Sequence, residues 1–326
     1  VTVDGRLAID IIVPLYNEEA IVAEFHRQLM AVVTPLRREC DVRICYVNDG
    51  SGDGTGAELA KLAADDPEVT VLELSRNFGH QAALTAGLDR ARGDAAVTLD
   101  GDGQHPPELI AEMVGLYRAG YDVVLTQRMI GPEPRWKRWS STGFYRLLRG
   151  IGETRMTAGS ADYRLLSRPV LDALRGMREY HRFLRGMVAW AGYRTVVLPY
   201  AERERIGGRP SYSLRARARL AADATFSFSL APLGLALVAG LGLLLLAAAQ
   251  ALYVLGFWVT GRQHLLAPGW ASLMLVVLIV GAALMVAIGL VGIYVGYILR
   301  EVKRRPVYLV REPERDVDEP PGRLSP

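Results

Sequence analysis

The feature that most limits what this chain can fold into is a pair of long stretches without charge. No Asp, Glu, Lys or Arg occurs from Ala224 to Gly261, and after Arg262 none occurs again until Arg300. Each stretch exceeds the roughly 20 apolar residues that a membrane-spanning helix requires. Glycine and proline interrupt both, at Gly234, Gly240, Gly242 and Gly256 and then at Pro268, Gly281, Gly289, Gly292 and Gly296. Membrane helices tolerate such interruptions better than soluble ones. A hairpin buried in a soluble core needs no such unbroken apolar surface, so a two-helix transmembrane hairpin is predicted over 229–299. Arg215, Arg217 and Arg219 precede it and Arg300, Lys303, Arg304 and Arg305 follow it, whereas the connection carries only Arg262. That asymmetry predicts a multi-pass protein of the inner or plasma membrane with its soluble part and both termini in the cytoplasm. The opening Val1-Thr2-Val3-Asp4-Gly5 lacks the pattern of a signal peptide, so targeting is expected to come from the spans.

Ahead of the hairpin the chain alternates strand-like and helix-like runs. Ala8–Leu15 is a buried β-branched run, and Ile21, Val22, Phe25, Leu29 and Val32 then recur at helical spacing. Further strands are expected at Val42–Val47, Val69–Leu74, Ala95–Leu99 and Asp122–Thr126, with helices at Gly54–Ala64, at His80–Ala91 and after Pro106-Pro107. This rhythm predicts an α/β domain with a doubly wound, mostly parallel sheet, whose ligand site lies beyond the carboxyl ends of its strands.

The polar residues fall where that rule wants them. Tyr16, Asn17 and Glu18 follow the first strand, Asn48 and Asp49 the second, Arg76 and Asn77 the third, Asp100 and Asp102 the fourth, and Gln127 and Arg128 the fifth. Asp100-Gly-Asp102-Gly-Gln104 sets two carboxylates and an amide oxygen at a sheet edge, hard ligands suited to Mg²⁺ or Mn²⁺ bridging a diphosphate. Ser51 and Asp53 are read mainly as turn and cap residues. No GxGxxG follows the first strand, which disfavours a dinucleotide-dependent oxidoreductase.

The formal charge of +3 is small for 326 residues, and no basic block points to nucleic acid. Two basic, aromatic stretches flank the hairpin side of the domain. Arg135–Ile151 is compatible with a helix at the headgroup level or on the domain surface, while 213–228 runs into the first span and is the better interfacial amphipathic helix. Cys40 and Cys45 are expected to be free thiols. The residues from Arg311 to Pro326 are charged and Pro-rich and are expected to be disordered, within a cytosolic tail over 300–326.

At these residues the chain resembles the family-2 glycosyltransferases of GT-A fold, within them the polyprenyl-phosphate glycosyltransferases. The matching text is Ile12-Val-Pro-Leu-Tyr-Asn-Glu-Glu19, Val47-Asn-Asp-Gly-Ser51, Leu74-Ser-Arg-Asn-Phe-Gly79, Asp100–Glu108, Asp162-Tyr-Arg-Leu-Leu-Ser-Arg168, Arg205-Ile-Gly-Gly-Arg-Pro-Ser-Tyr212, Phe226–Leu233 and Glu301–Tyr308. The resemblance implies a GT-A domain over 1–212. It implies that Pro14, Tyr16, Glu18, Val47 and Asp49 line the nucleotide base and ribose, and that Asp100, Gly101, Arg128 and Arg205 meet the rest of the nucleotide-sugar. Asp100, Asp102 and Gln104 would hold the metal. Asp162 is the position of a base or orienting carboxylate, and Arg164, Arg205 and Arg209 would receive the acceptor phosphate. Asp162, Asp102 and Arg205 are thus the catalytic candidates. The family often has Asp-Asp-Gly-Ser where this chain has Asn48-Asp49.

The reaction so implied moves a sugar from a nucleotide-sugar to a membrane polyprenyl phosphate with inversion. UDP-glucose is the favoured donor and GDP-mannose the alternative. A processive polysaccharide synthase is the nearest rival, but the Gln-x-x-Arg-Trp motif of such enzymes is absent, His181-Arg-Phe-Leu-Arg-Gly186 being the closest text. A non-catalytic nucleotide-sugar-binding membrane scaffold is the rival of another class, and homo-oligomerisation is left open.

Overall fold

The computed structural model describes residues 6–129, 160–177, 179, 182–201, 231–261 and 269–311. The expected interfacial helices, at 135–151 and 213–228, lie outside them, as does the tail beyond Arg311.

The first unit is built on one sheet of order β3-β2-β1-β4-β6-β5-β7. Its strands are β1 (Leu7–Leu15), β2 (Cys40–Asn48), β3 (Val69–Glu73), β4 (Ala95–Thr98), β5 (Val123–Arg128), β6 (Ser160–Ser167) and β7 (Thr195–Tyr200). Helices α1 (Val22–Leu36), α2 (Thr55–Asp65), α3 (His80–Arg90), α4 (Leu109–Arg118), α5 (Arg168–Gly176) and α6 (Leu184–Ala191) cover it. The five strands read from the sequence are present, each shifted by no more than a residue or two at its ends.

Burial on both faces explains why β1 is apolar except at Asp10, whose carboxylate accepts from the Arg92 and Gly93 N–H groups. Ile9, Ile11, Val13 and Leu15 join Phe25 and Leu29 of α1, Leu59 of α2 and Met113 of α4 in one core cluster. Ile12 points the other way, joining Val47, Ala83 and Leu84 of α3, Val170 of α5 and Met187 of α6.

Proline is tolerated inside this central strand for a local reason. Even-numbered residues of β1 face β4: the Ala8 carbonyl accepts from Asp94 N–H at 2.7 Å and the Ile12 carbonyl from Leu99 N–H at 3.0 Å. Pairing with β4 stops at Ile12–Thr98, so the missing N–H of Pro14 lies beyond the ladder and breaks no bond.

The departure from an all-parallel sheet is β6, which pairs antiparallel with both β4 and β5. Its short, polar opening gives no period-2 signal that separates it from a loop. Its direction matters more than its composition. Thr98 lies opposite Arg164 and Gln127 opposite Ser160, so β6 begins at the edge where the parallel strands end.

The second unit holds α7 (Ala231–Val259) and α8 (Trp270–Val302), which contact each other. Val238–Val259 and Ile279–Val302 are long and apolar enough to cross a membrane, and neither segment is buried. Leucine and valine are exposed along both helices, with Leu245 at 73% and Val286 at 70%, the pattern of helices that meet an apolar solvent.

Helix α3 sits close to the sheet because its inner face is built from Ala83, Ala86 and Gly87. A Cβ added at Gly87 would fall 2.2 Å from Ile12 Cγ2 and 3.2 Å from Val47 Cγ2. Gly87→Ala should therefore destabilise the domain by about 1–3 kcal/mol through overpacking, despite the gain in helix propensity. Chemical denaturation followed by tryptophan fluorescence checks this, and an unchanged midpoint would contradict it.

Candidate functional site

The carboxyl ends of β1, β2 and β4, the entry of β6 and the amino ends of α3 and α6 converge on one group of charged side chains. The loops that frame it are tied to each other first. After β1, Asn17 adopts φ +53°, donates its N–H to Ser51 Oγ at 3.0 Å and accepts from Gly52 N–H at 2.9 Å. Glu18 N–H donates to Thr55 Oγ1 at 3.0 Å, and its carbonyl accepts from Ile21 and Val22 to open α1. Asp53 Oδ1 accepts from Thr55 N–H at 3.1 Å at the start of α2, the cap role read for it.

Asp49 performs the same service for the next loop. Its Oδ1 accepts from Phe78 N–H at 2.7 Å and its Oδ2 from Gly79 N–H at 2.9 Å. Burial pushes its carboxyl up in pKa, against the pull of those two amides, His80 and Arg76. Asn48 Nδ2 donates to Glu73 Oε1 at 3.2 Å and Asn48 Oδ1 accepts from Ser51 N–H at 3.1 Å. An aspartate here would set two carboxylates, its own and that of Glu73, against each other beside a buried turn. Asparagine removes that conflict.

The acidic pair sits at the end of β4. Gly101 has no room for a side chain, since a Cβ would fall 2.3 Å from Leu15 Cδ2. Asp102 Oδ1 accepts from Gln104 N–H at 3.0 Å. Asp100 Oδ2 meets His105 Nε2 at 3.0 Å, and the other nitrogen of His105 is 2.7 Å from the Tyr200 hydroxyl. Asp100 Oδ1 is buried with no hydrogen-bond partner, 3.4 Å from His80 Nε2. Burial raises the Asp100 pKa, but His80 and His105 outweigh it and hold the carboxyl below its ordinary range.

Asp162 enters from β6. Oδ1 accepts from Arg185 Nε at 3.0 Å and from Arg164, while Oδ2 accepts from Arg185 Nη2 at 2.8 Å and Gln81 Nε2 at 3.2 Å. His80 Nε2 is 3.6 Å from Oδ2. Although burial opposes it, Arg164, His80 and Arg185 hold Asp162 well below the usual carboxylate range. His80 is lowered by desolvation but raised overall by Asp100 and Asp162, which it bridges.

The residues singled out from the sequence divide accordingly. Asp100, Asp162 and, through Asp49, the second strand end are brought together, and Asp102 and Gln104 are on the adjoining turn. Tyr16 is 47% exposed on the loop after β1, and Arg128 is exposed at the end of β5. Two placements correct the expectation. Val47 is wholly buried beneath α3, so its side chain is part of the floor and lines no base pocket. Arg164 is 2% exposed behind Asp162, so it is a buried counter-ion and does not face a lipid headgroup. Arg205 and Arg209 lie outside the described residues.

His80, Gln81, His105, Arg185 and Tyr200 belong to the cluster although spacing alone does not single them out. His80 and Gln81 follow directly on the Leu74–Gly79 motif and His105 lies within Asp100–Glu108, whereas Arg185 and Tyr200 stand in no recognised motif.

The donor set at Asp100–Gln104 was tested against a divalent cation. Among the described residues no three His, Cys, Asp or Glu side chains form a closed metal site. An open one is consistent with the geometry: the unpartnered Asp100 Oδ1 and the neighbouring Asp102 supply a few hard oxygens, and Mg²⁺ commonly takes one or two carboxylates with the rest from phosphates and water.

Residues 10–181 match Glycosyl transferase family 2. The chain is 35% identical to an uncharacterized glycosyltransferase of Synechocystis, sll0501, over 94% of this chain and 95% of that one. It is 32% identical to the prophage bactoprenol glucosyl transferase homolog of Escherichia coli, over 94% of this chain and 99% of that one. Among solved structures, it is similar to the mannosyltransferase PcManGT from Pyrobaculum calidifontis at a TM-score of 0.46 and 19% identity, covering 87% of this chain and 86% of that one. With a profile spanning more than half its length and relatives aligned nearly end to end, the chain belongs to glycosyl transferase family 2.

Proposed function

We propose that this protein transfers a hexose from a nucleotide-sugar, with UDP-glucose the favoured donor, to a polyprenyl phosphate at the cytoplasmic face of a membrane. The observation that carries the reading is the end-to-end similarity to a bactoprenol glucosyl transferase homolog, which includes both apolar helices as well as the acidic cluster. On this reading 1–212 is the catalytic domain, 213–228 lies at the bilayer surface, 229–299 is the anchor, and both termini are cytoplasmic. The anchor has a physical purpose. Lifting a polyprenyl chain out of lipid costs roughly 0.8 kcal/mol per CH₂, so the site must come to the headgroup.

The donor occupies the edge formed by Tyr16, Glu18, Asp49 and Arg128, with its diphosphate toward Asp100, Asp102 and Gln104. Those residues would hold a divalent cation, and the chemistry it would supply is Lewis-acid neutralisation of the charge that develops on a departing diphosphate. The chain's own residues act on Asp100: His80 and His105 hold its carboxyl below the ordinary range and aim it.

Asp162 acts as an orienting carboxylate. A group gripped by two arginines and a glutamine, with its pKa held low, is a poor proton acceptor. Little proton removal is needed, because a phosphate monoester with its second pKa near ~6 is already mostly dianionic at neutral pH. What Asp162 does hold is Arg185, gripped through Nε and Nη2 with its side chain 40% exposed. Arg185 thus takes the acceptor-facing place that the resemblance gives to Arg164, with Arg205 and Arg209 as further phosphate contacts.

Three measurements on purified full-length protein, with labelled nucleotide-sugars and polyprenyl phosphate, test this. Asp100→Asn and Asp102→Asn should each lower turnover about 100-fold or more, and chelation should stop it until Mg²⁺ or Mn²⁺ is restored. Wild-type rates in either variant would remove the metal assignment, and no transfer from any donor would favour a binding scaffold. Arg185→Ala should raise the acceptor KM about tenfold, the weight of one charge-assisted contact, and leave the donor KM alone. An effect on the donor KM only would place Arg185 elsewhere.

The pH profile separates the roles of Asp162. Because its folded pKa is depressed, its charge persists as pH falls through the carboxylate range. The acidic limb of kcat/KM should therefore follow the acceptor phosphate near ~6 and survive, at reduced height, in Asp162→Asn. Loss of that limb in the variant would make Asp162 the base.

A further inference from the structure

The residues after α8 do not trail away as a tail. Leu74 and Val310 form an antiparallel bridge on the outer edge of β3. Ser75 N–H donates to the Leu309 carbonyl at 2.9 Å, and Arg311 N–H donates to the Glu73 carbonyl at 2.8 Å. These are the outward-facing groups of that edge. Leu74, between them, faces inward and donates to the Asn48 carbonyl of β2 at 2.9 Å. Side chains add to the join: Tyr308 and Val310 pack on the cluster beneath α3, and the Tyr308 hydroxyl donates to Asp89 Oδ2 at 3.1 Å near the far end of that helix.

What this strap borders is the loop Ser75–Gly79. Its far end supplies the two N–H groups that grip Asp49, and His80 follows at the head of α3. The loop also lies flat on the turn after β2, since a Cβ at Gly50 would fall 2.3 Å from the Arg76 carbonyl carbon. Backbone packed that closely cannot shift on one side alone. The strap therefore holds, from outside, the same loop that frames the site from inside.

We propose that Tyr308–Arg311 is a positioning element for the donor site, fixing the β3 edge and through it the loop that holds Asp49 and His80, so that it sets affinity for the nucleotide-sugar and not for the lipid phosphate. It rests on the reading that the donor lies on the Asp49 side. The rival is an edge cover that only shields unpaired groups of β3.

Two substitutions in the full-length protein separate them. Arg311→Pro removes the N–H that bonds Glu73, whereas Arg311→Ala keeps it and loses only an exposed charge. With Arg311→Pro the donor KM should rise roughly fivefold to tenfold, the scale of one lost backbone hydrogen bond. The acceptor KM should stay within about twofold, and Arg311→Ala should match wild type in both, as exposed pairs contribute little. Amide hydrogen exchange at Phe78 and Gly79 reads the loop without any substrate, and its protection should fall in Arg311→Pro alone. Unchanged donor KM and unchanged protection, with only folded yield or kcat reduced, overturn the proposal in favour of the edge cover. Lost protection with an unchanged donor KM keeps the brace but rejects the donor on the Asp49 side. Should Arg311→Pro fail to fold, Tyr308→Phe drops the tie to Asp89 and keeps the ring, and the same two readouts decide.

Discussion

Two carboxylates brought toward a single histidine are the constraint around which this site is arranged. Asp100 at the end of β4 and Asp162 at the entry of β6 both lie within 4 Å of His80 Nε2, and in a half-buried cleft their mutual repulsion would protonate one of them unless cations intervened. The chain supplies partners from four directions: the imidazole of His80 from α3, the imidazole of His105 from the turn after β4, and the guanidinium groups of Arg164 from β6 itself and Arg185 from α6. Both carboxyls consequently remain below their ordinary pKa range in spite of burial. Removing any one of these partners exposes the remaining charge to the desolvation that the others offset.

The sheet topology is what makes that meeting feasible. Had β6 run parallel to β4, Asp162 would stand near the start of a parallel strand, at the edge away from Asp100. Insertion of a single antiparallel strand between β4 and β5 delivers the beginning of one element to the end of another. The small-residue face of α3 then lets that helix sit close on the sheet, its first residues reaching the same edge.

Much of this was legible from sequence, and the limits have physical causes. β1 to β5 announce themselves because each is a short, mostly apolar run that ends in polar residues at the ligand edge. The two long uncharged stretches were equally plain. β6 was not, because Ser160-Ala-Asp-Tyr-Arg opens with the very polar residues that serve the site, and antiparallel insertion leaves no mark on local composition. Arg164 and Val47 were read as ligand-facing because motif text carries identity without orientation. Strand alternation turned Val47 into the core, and Asp162 covers Arg164. Residues 308–311 were read as tail since four residues of edge pairing are too short for any periodicity.

The asparagine in place of a common aspartate at position 48 has a consequence beyond this molecule. Its amide is paired with Glu73, and Glu73 in turn faces Arg311, at 3.7 Å, on the strap. The exposed Arg311 contact adds little, but the amide of Asn48 and the carboxylate of Glu73 form one hydrogen-bonded pair across two strands, so positions 48 and 73 should not drift independently during evolution. A lineage that carries an acid at 48 is under pressure to neutralise 73, because two carboxylates would then meet where an amide and a carboxylate meet here. Chimeras with a crossover between β2 and β3 would inherit mismatched members of that pair, an incompatibility invisible to anyone choosing crossover points by domain boundary alone.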